Sequence, residues 1–255
     1  MSEPGAVRVA TYNIRNLRAL DQASWWWRRR DRLGAALSAV DADIWGFQEV
    51  YQTQNRWLGT RAFGSGWEYC GRGRNRRGGG EMCPIWFRKS RFAVTGAAVR
   101  WFGETPARPG TRLLGARSPR LATVVEGYLR RVDQPFVVFN THLDEGSQQR
   151  RLEASENLAD WLTAEHAGKP AIVLGDLNCT LDQSPARPLM ALGLRPVLNP
   201  DDGPTAHDFG KSPNPRQIDH IFVSEHWSIT ASRVVREAGN ASDHWPVAAD
   251  LEIQT

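Results

Sequence analysis

The chain has 255 residues, 41% of them hydrophobic and 24% charged, enough to bury one core as a single domain over residues 1–255. That mixture excludes a disordered, collagen-like or coiled-coil protein, and Arg, Asp or Gly breaks every apolar run short of the roughly 18–20 residues a membrane-spanning helix needs. The net charge of +4 favours an anionic partner only mildly, and no stable membrane association is expected.

Residues 7–14 alternate Val7, Val9 and Thr11 with Arg8, Ala10 and Tyr12, the period of a strand, and bring Asn13 near its C-terminal end. Ser24 is a candidate cap for a helix whose apolar stripe runs Trp26, Leu33, Leu37 and Val40, with Arg28, Arg29, Arg30 and Arg32 opposite. Residues 43–50 form the next strand, ending at Gln48 and Glu49. β-rich runs follow at 82–87, 121–130 and 136–143, separated by turn-forming segments such as the glycines at 78–80.

A second helix is expected over about 148–165, with Leu152, Leu158, Ala159, Trp161 and Leu162 inward. Residues 171–174 are a short apolar run of the kind buried on both faces, stopping at Gly175 and Asp176. A short helix around 185–192 and strands at 218–224, 229–236 and 247–253 complete the chain. The expected class is α+β, with helices covering the faces of two packed sheets.

Cys70, Cys83 and Cys179 are odd in number and fit neither a disulfide framework nor a C-x-x-C zinc site, so they read as buried reduced thiols. The N-terminus lacks the features of a secretory signal, which makes a cytoplasmic location the expectation.

Acids, amides and imidazoles recur at the ends of the apolar strands: Asn13, Glu49, Glu81, the block from Asn140 through His142 to Asp144, Asp176 with Asn178, Asp219 with His220, and Asp243 with His244. One polar strand end is ordinarily just solvated. Seven point to a shared site, because strand ends are where clefts open in layered α/β proteins. Oxygen donors without cysteine favour a hard divalent cation, Mg²⁺ with Mn²⁺ as the alternative, over zinc. Histidines with carboxylate partners suffice for acid–base work.

Six blocks, TYNI at 11–14, FQEV at 47–50, NTHLD at 140–144, GDLN at 175–178, IDHIF at 218–222 and SDHWPV at 242–247, resemble in order the motif set of the endonuclease/exonuclease/phosphatase superfamily, with its deoxyribonuclease I-like fold. The resemblance implies a four-layered α/β/β/α sandwich of two packed mixed β-sheets flanked by helices. It also implies metal-dependent hydrolysis of a phosphate ester at one edge.

Carried over position by position, Glu49 matches the metal-binding glutamate, Asn13 the amide that assists the metal or the scissile phosphate, and Asp243 a metal or second-site ligand. Asp176 matches the aspartate that orients or deprotonates the attacking water, and Asn178 the amide on the phosphoryl oxygens. His244 matches the catalytic histidine with Asp219 as its partner, and His142 the second histidine, for which Glu81 is the candidate partner that would make it cationic. Asn140, in the same block, is taken as substrate-binding. His166, His207 and His226 fall outside the motifs and are expected at the surface.

For the substrate, the loop GRGRNRRGGG at 71–80 carries Arg72, Arg74, Arg76 and Arg77 ahead of Glu81 at the expected rim, and Arg120 closes an RSPR segment. Such arginines bind either a nucleic-acid backbone or the phosphates of a small molecule. Of the eleven tryptophans, Trp25, Trp57 and Trp101 read as free to meet a ligand. The first expectation is a phosphodiesterase acting on nucleic acid or a nucleotide-like diester. The second is a phosphomonoesterase for a small soluble phosphorylated metabolite, and the third a catalytically silent nucleic-acid-binding module.

Overall fold

A computed structural model describes residues 5–20, 24–132 and 134–254. In chain order these form β1 (Ala6–Asn13), α1 (Trp26–Val40), β2 (Ile44–Gln48), α2 (Gln52–Trp57, prolonged by a π-helical turn over Leu58–Phe63), β3 (Trp67–Cys70), β4 (Ile85–Arg88), β5 (Phe92–Trp101) and β6 (Leu121–Leu129). There follow β7 (Pro135–His142), α3 (Gln148–His166), β8 (Ala171–Asp176), α4 (Arg187–Ala191), β9 (Arg195–Pro196), β10 (Asp219–Val223), β11 (Trp227–Val234) and β12 (Val247–Ile253).

The strands make two six-stranded sheets, ordered β11-β12-β1-β2-β4-β3 and β5-β6-β7-β8-β10-β9. Each sheet is mixed and holds one parallel pair, β1 with β2 and β7 with β8. Parallel neighbours need a long crossover, supplied by α1 in one sheet and α3 in the other.

Alternation along β1 shows how the layers arise. Val7 and Val9 join Ile44 and Ile85 against Val125, Val138, Ile172 and Ile221 of the second sheet. Ala10 and Tyr12 point the other way, onto Trp26, Leu33 and Leu37 of α1. On the far side Phe139, Val173 and Phe222 pack under Leu158, Trp161 and Leu162 of α3. Three apolar layers thus separate helix, sheet, sheet and helix, the four-layered sandwich that the motif resemblance implied.

Some local expectations need correction. Ser24 does not cap α1: Trp25 occupies the N-cap without a side-chain bond. Arg29, assigned to the polar face, is 1% exposed. The short helix at 185–192 is a 3₁₀ turn over Ser184–Ala186 running into α4. Strands β3 and β5 and helix α2 had no counterpart in the sequence reading. The cysteines are free, with Cys83 and Cys179 buried and Cys70 half-buried.

Asn140 is a correction with functional weight. It is fully buried between the sheets, where its Nδ2 donates to the Phe47 and Pro84 carbonyls at 2.9 Å each and its Oδ1 accepts from Gln48 Nε2 at 2.7 Å. These bonds consume its donors and join one sheet to the other, so it is not available to bind substrate.

At Gly175 the backbone has φ +149°, and an added Cβ would lie 2.1 Å from the Thr141 carbonyl oxygen of β7. The obstacle is ladder backbone, which cannot swing aside. Gly175→Ala is therefore expected to destabilise the fold by about 2–3 kcal/mol, read as a lowered urea midpoint; an unchanged midpoint would contradict this account of the strand.

Candidate active site

The parallel pairs bring strand C-terminal ends to one edge, pairing Asn13 with Gln48 and His142 with Asp176. Strand β10 runs the opposite way, so its first residue, Asp219, pairs with Asp176. The start of β12 pairs with Thr11, which sets Asp243 and His244 beside the same edge. Arg15, Glu49 and Asn178 there adopt left-handed backbone, φ +52°, +62° and +52°. Such non-glycine positions cost about 1–3 kcal/mol and persist where surrounding structure enforces them.

Glu49 Oε2 accepts from the Asn16 backbone N–H at 3.0 Å and Asn16 Nδ2 at 2.8 Å, and its Oε1 accepts from Asn13 Nδ2 at 3.1 Å. Burial alone would raise its pKa, but His142, the Asn16 N–H, Arg15 and Asn13 outweigh it and hold the carboxyl at about 2. The same Asn13 Nδ2 donates to Asp176 Oδ2 at 3.0 Å, while Asn13 Oδ1 accepts from the Arg15 N–H at 3.0 Å. Asn13 therefore shows N–H groups to both carboxylates and has its oxygen engaged. In this arrangement it spaces the two acids.

Asp176 Oδ1 accepts from the Asn178 N–H at 2.9 Å, and Oδ2 lies 3.5 Å from His142 Nε2. Burial, reinforced by Asp219 and opposed by His244 and Asn13, pushes this carboxyl up to about 7. The Asn178 amide donates to the Leu143 carbonyl at 3.2 Å, which orients its side chain.

His244 Nδ1 is 2.7 Å from Asp219 Oδ2, and Thr205 Oγ1 donates to the same oxygen at 2.5 Å. Burial would lower the histidine's pKa, but Asp219 at this distance lifts it well above the ordinary value. Thr205, fully buried, also accepts the Ile218 and Asp219 N–H groups at 3.0 Å each. No motif contained this threonine, and only the fold brings it there.

The expected partner of His142 is a second correction. Glu81 Oε2 forms an ion pair with Arg74 Nη1 at 2.6 Å. Burial and the neighbouring Arg120 push His142 well below its ordinary pKa, against the pull of Glu49. Of the two histidines, His244 holds its proton more firmly than His142.

One group among the described residues brings possible metal-ligand atoms together. Asp176, Asp219 and His244 place three ligand atoms within 4.8 Å of one another, although the short Asp219–His244 bond already occupies two of them. Asp243 Oδ2 lies 3.3 Å from Arg15 Nη1, and its Oδ1 accepts from Ser242 Oγ at 3.1 Å. Burial raises the Asp243 carboxyl against His244, and Glu49 raises it further. Asp243 and Glu49 thus repel each other, and a hard divalent cation, which takes oxygen donors, would relieve that repulsion.

In front of Glu49 and His142 opens a cavity of about 410 Å³, bordered by Arg15, Asn16, Arg74, Glu81, Arg117, Ser118, Arg120, Asp144, Glu145, Gly146 and Arg150. Arg74 and Arg120 fall where expected, whereas Arg72, Arg76 and Arg77 do not line it. Arg72 covers the Trp101 ring at 5.6 Å, and Trp101 is itself buried, donating to the Arg74 carbonyl at 2.7 Å, so it is not free for a ligand. The glycine-rich loop is pinned by Arg74 N–H to the Glu81 carbonyl and Asn75 N–H to the Gly79 carbonyl, both 2.9 Å.

His166 and His207, expected at the surface, are buried, and His207 stacks on Trp245 at 4.0 Å. Arg15, Asn16 and Arg150 were not expected at the site, and Asp144 was expected at a strand end without a role. A signal existed for one: Asp144 with Gly146 and Ser147 is an Asx-turn signature, and Asp144 Oδ1 accepts both of those N–H groups, at 2.9 and 2.8 Å.

The Endonuclease/Exonuclease/phosphatase family model matches residues 10–244. The chain is similar to an endonuclease/exonuclease/phosphatase family protein from Bacteroides thetaiotaomicron, with 26% identity, TM-score 0.88 and 99% of each chain covered. A second such protein, from Bacteroides vulgatus, gives 28% identity and TM-score 0.88, covering 98% of this chain and 99% of that one. A mannosyl-6-phosphatase from Bacteroides thetaiotaomicron gives 28% identity and TM-score 0.85, covering 96% and 99%. The sequence matches no curated protein. No helix among the described residues is long and apolar enough to cross a membrane. With the fold, the strand-end acids and these matches in agreement, the chain belongs to the Endonuclease/Exonuclease/phosphatase family, whose members are phosphoester hydrolases that generally depend on a divalent metal.

Proposed function

We propose that the protein is a metal-dependent phosphomonoesterase acting on a small soluble phosphorylated metabolite, the second of the sequence-based expectations. The observation that carries this reading is the charge pairing around the cavity. Arg74 is matched by Glu81 at 2.6 Å, Arg150 by Asp144 at 3.1 Å, Arg15 by Asp243 at 3.3 Å and Arg120 by Glu145 at 3.7 Å. A nucleic-acid backbone presents successive phosphates and is bound by a continuous row of uncompensated cations. Here four of the five arginines that border the concave site are each paired with a carboxylate, which suits a single anionic group better than a run of phosphates. The similarity to a mannosyl-6-phosphatase supports the same direction.

Glu49 and Asp243 would hold the divalent cation, for which Mg²⁺ or Mn²⁺ suits the all-oxygen donors. Bound there, the cation would supply Lewis-acid stabilisation of phosphoryl charge. Asp176, with a pKa near neutrality, holds the attacking water and accepts its proton, while Asn13 keeps its carboxylate at a set distance from Glu49. The His244 imidazolium, fixed by Asp219, and the amide of Asn178 stabilise the negative charge that grows on the phosphoryl oxygens. His142, 3.5 Å from Asp176, adds a hydrogen-bonding group at the same end.

A phosphodiesterase acting on nucleic acid is the second reading, favoured by exposed Arg72, Arg76 and Arg77 on the loop that carries Arg74. Assays on p-nitrophenyl phosphate, bis-p-nitrophenyl phosphate, an oligonucleotide and a plasmid, with Mg²⁺ and with EDTA, separate the two. The expected result is monoester turnover exceeding diester turnover by about 10-fold or more in kcat/KM, abolished by chelation. Plasmid nicking without release of phosphate from monoesters would overturn the proposal.

A further inference from the structure

We infer that Thr205 is a positioning residue for the hydrolytic step: its hydroxyl selects which oxygen of Asp219 faces His244 and so fixes the direction in which the imidazole is presented. The inference deepens the proposed reaction and rests on the roles given there to Asp219 and His244, whichever ester is the substrate.

A threonine hydroxyl has one proton to give and two lone pairs to fill. In Thr205 both acceptor directions are taken, by the Ile218 and Asp219 N–H groups at 3.0 Å each. Its single proton therefore has one destination, Asp219 Oδ2 at 2.5 Å, the oxygen that also meets His244 Nδ1 at 2.7 Å. Thr205 is fully buried, which removes water as a competing partner, and its branched Cβ restricts χ1. The hydroxyl is thus fixed in direction.

Asp219 needs such a fixture because its other oxygen has none. Oδ1 is buried and accepts no hydrogen bond from the described residues. The torsion that turns a carboxylate about its Cβ–Cγ bond is intrinsically broad, so nothing on that side holds the plane. Only Thr205 and His244 tell the two oxygens apart, and His244 is the group being positioned. The reference point is Thr205.

The same residue also reaches the chain around His244. The Trp245 N–H donates to the Thr205 carbonyl at 2.7 Å, and the Thr205 N–H donates to the Arg216 carbonyl at 2.9 Å. Ala206 pairs with His244 as an isolated bridge, and the His207 and Asp208 N–H groups both donate to the Asp243 carbonyl, at 2.8 and 3.0 Å. Thr205 belongs to no strand or helix, yet its side chain holds Asp219 while its backbone holds the segment of His244. Those backbone bonds survive a change of side chain, so substitution isolates the hydroxyl.

The test compares Thr205→Val, which nearly keeps the shape and removes the hydroxyl, with Thr205→Ser, which keeps the hydroxyl and removes a methyl. Both are assayed on p-nitrophenyl phosphate and bis-p-nitrophenyl phosphate in Mg²⁺, at a temperature where circular dichroism reports them fully native. Thr205→Val is expected to lower kcat about 10–100-fold with KM within about 2-fold, and Thr205→Ser to recover kcat to within about 5-fold of the parent. Lowered urea midpoints with kcat unchanged would make the threonine purely structural and overturn the proposal, as would a serine variant as slow as the valine one. Should Thr205→Val not fold, three-bond couplings in the unaltered protein decide: one Thr205 χ1 rotamer is expected, and an averaged χ1 overturns the assignment. Asp219→Asn, run alongside, separates this role from the reading beneath it. If Asp219→Asn is slow and Thr205→Val is not, the positioning role alone fails, whereas full activity in Asp219→Asn removes the Asp219–His244 pair from the mechanism and this role with it.

Discussion

Asp176→Asn and Asp219→Asn should each lower kcat by about 10²–10⁴-fold while leaving the fold in place. The Asp219 variant is the more informative because it changes charge with almost no change of shape. Its carboxylate is fully buried, with one oxygen receiving Thr205 at 2.5 Å and His244 at 2.7 Å. An asparagine oxygen in that place keeps both hydrogen bonds. What disappears is the negative charge that lifts the His244 pKa against its burial. His244 then loses its proton at neutral pH and no longer opposes the charge on the phosphoryl group. The expected signature is a fall in kcat with little change in KM, together with loss of the low-field imidazolium NMR signal of His244. A variant that keeps full activity would show that the pair is structural and remove His244 from the mechanism.

The parts of this site that were legible in the sequence share one physical property: they sit where an apolar strand stops. Asn13, Glu49, Asp176, Asp219 and His244 each follow or begin a buried run, and the pairing of those runs brings the ends together. The long helices and central strands were legible for the same reason, since their burial on defined faces leaves a period in the residues. What escaped was set by contacts between distant segments. Strand β5 alternates exposed and half-buried residues with a bulge near Gly96, so its period is blurred.

Glu81 and His142 are close in motif logic, yet a guanidinium seven residues before Glu81 claims its carboxylate. The charge state of His142 depends on desolvation and on Arg120, neither of which is written in its own motif. Asn140 looks like a site residue because it belongs to a catalytic block. Its 0% exposure and its bonds to Phe47 and Gln48 of the opposite sheet and to Pro84 assign it to the core.

Arg29 is the sharpest instance, and it yields the largest stability effect expected here: Arg29→Met should destabilise the fold by about 3–4 kcal/mol. Read as a helix position, it belongs to a polar run with Arg28 and Arg30. In the folded chain its guanidinium is buried and donates to four backbone carbonyls: Ser24 at 3.0 Å, Ile14 at 2.7 Å, Arg15 at 2.6 Å and Ala241 at 2.9 Å. A hydrogen bond to a charged group is worth about 1.5–3 kcal/mol, and a buried carbonyl left without a donor adds its own penalty.

The carbonyls belong to segments that carry site residues. Ile14 and Arg15 follow Asn13, and Ala241 precedes Asp243 and His244, 212 residues from Arg29. One side chain of α1 thus ties together the two segments that position the proposed cation ligands and the imidazolium. Arg29→Lys keeps the charge but presents a single nitrogen, which reaches fewer of the four carbonyls. It should fold, with a lowered urea midpoint, and show reduced kcat at a temperature where circular dichroism reports it fully native. If the lysine variant is folded and as active as the parent, the register of the two segments is held by the sheet alone, through the β1–β12 ladder, and Arg29 contributes only to stability.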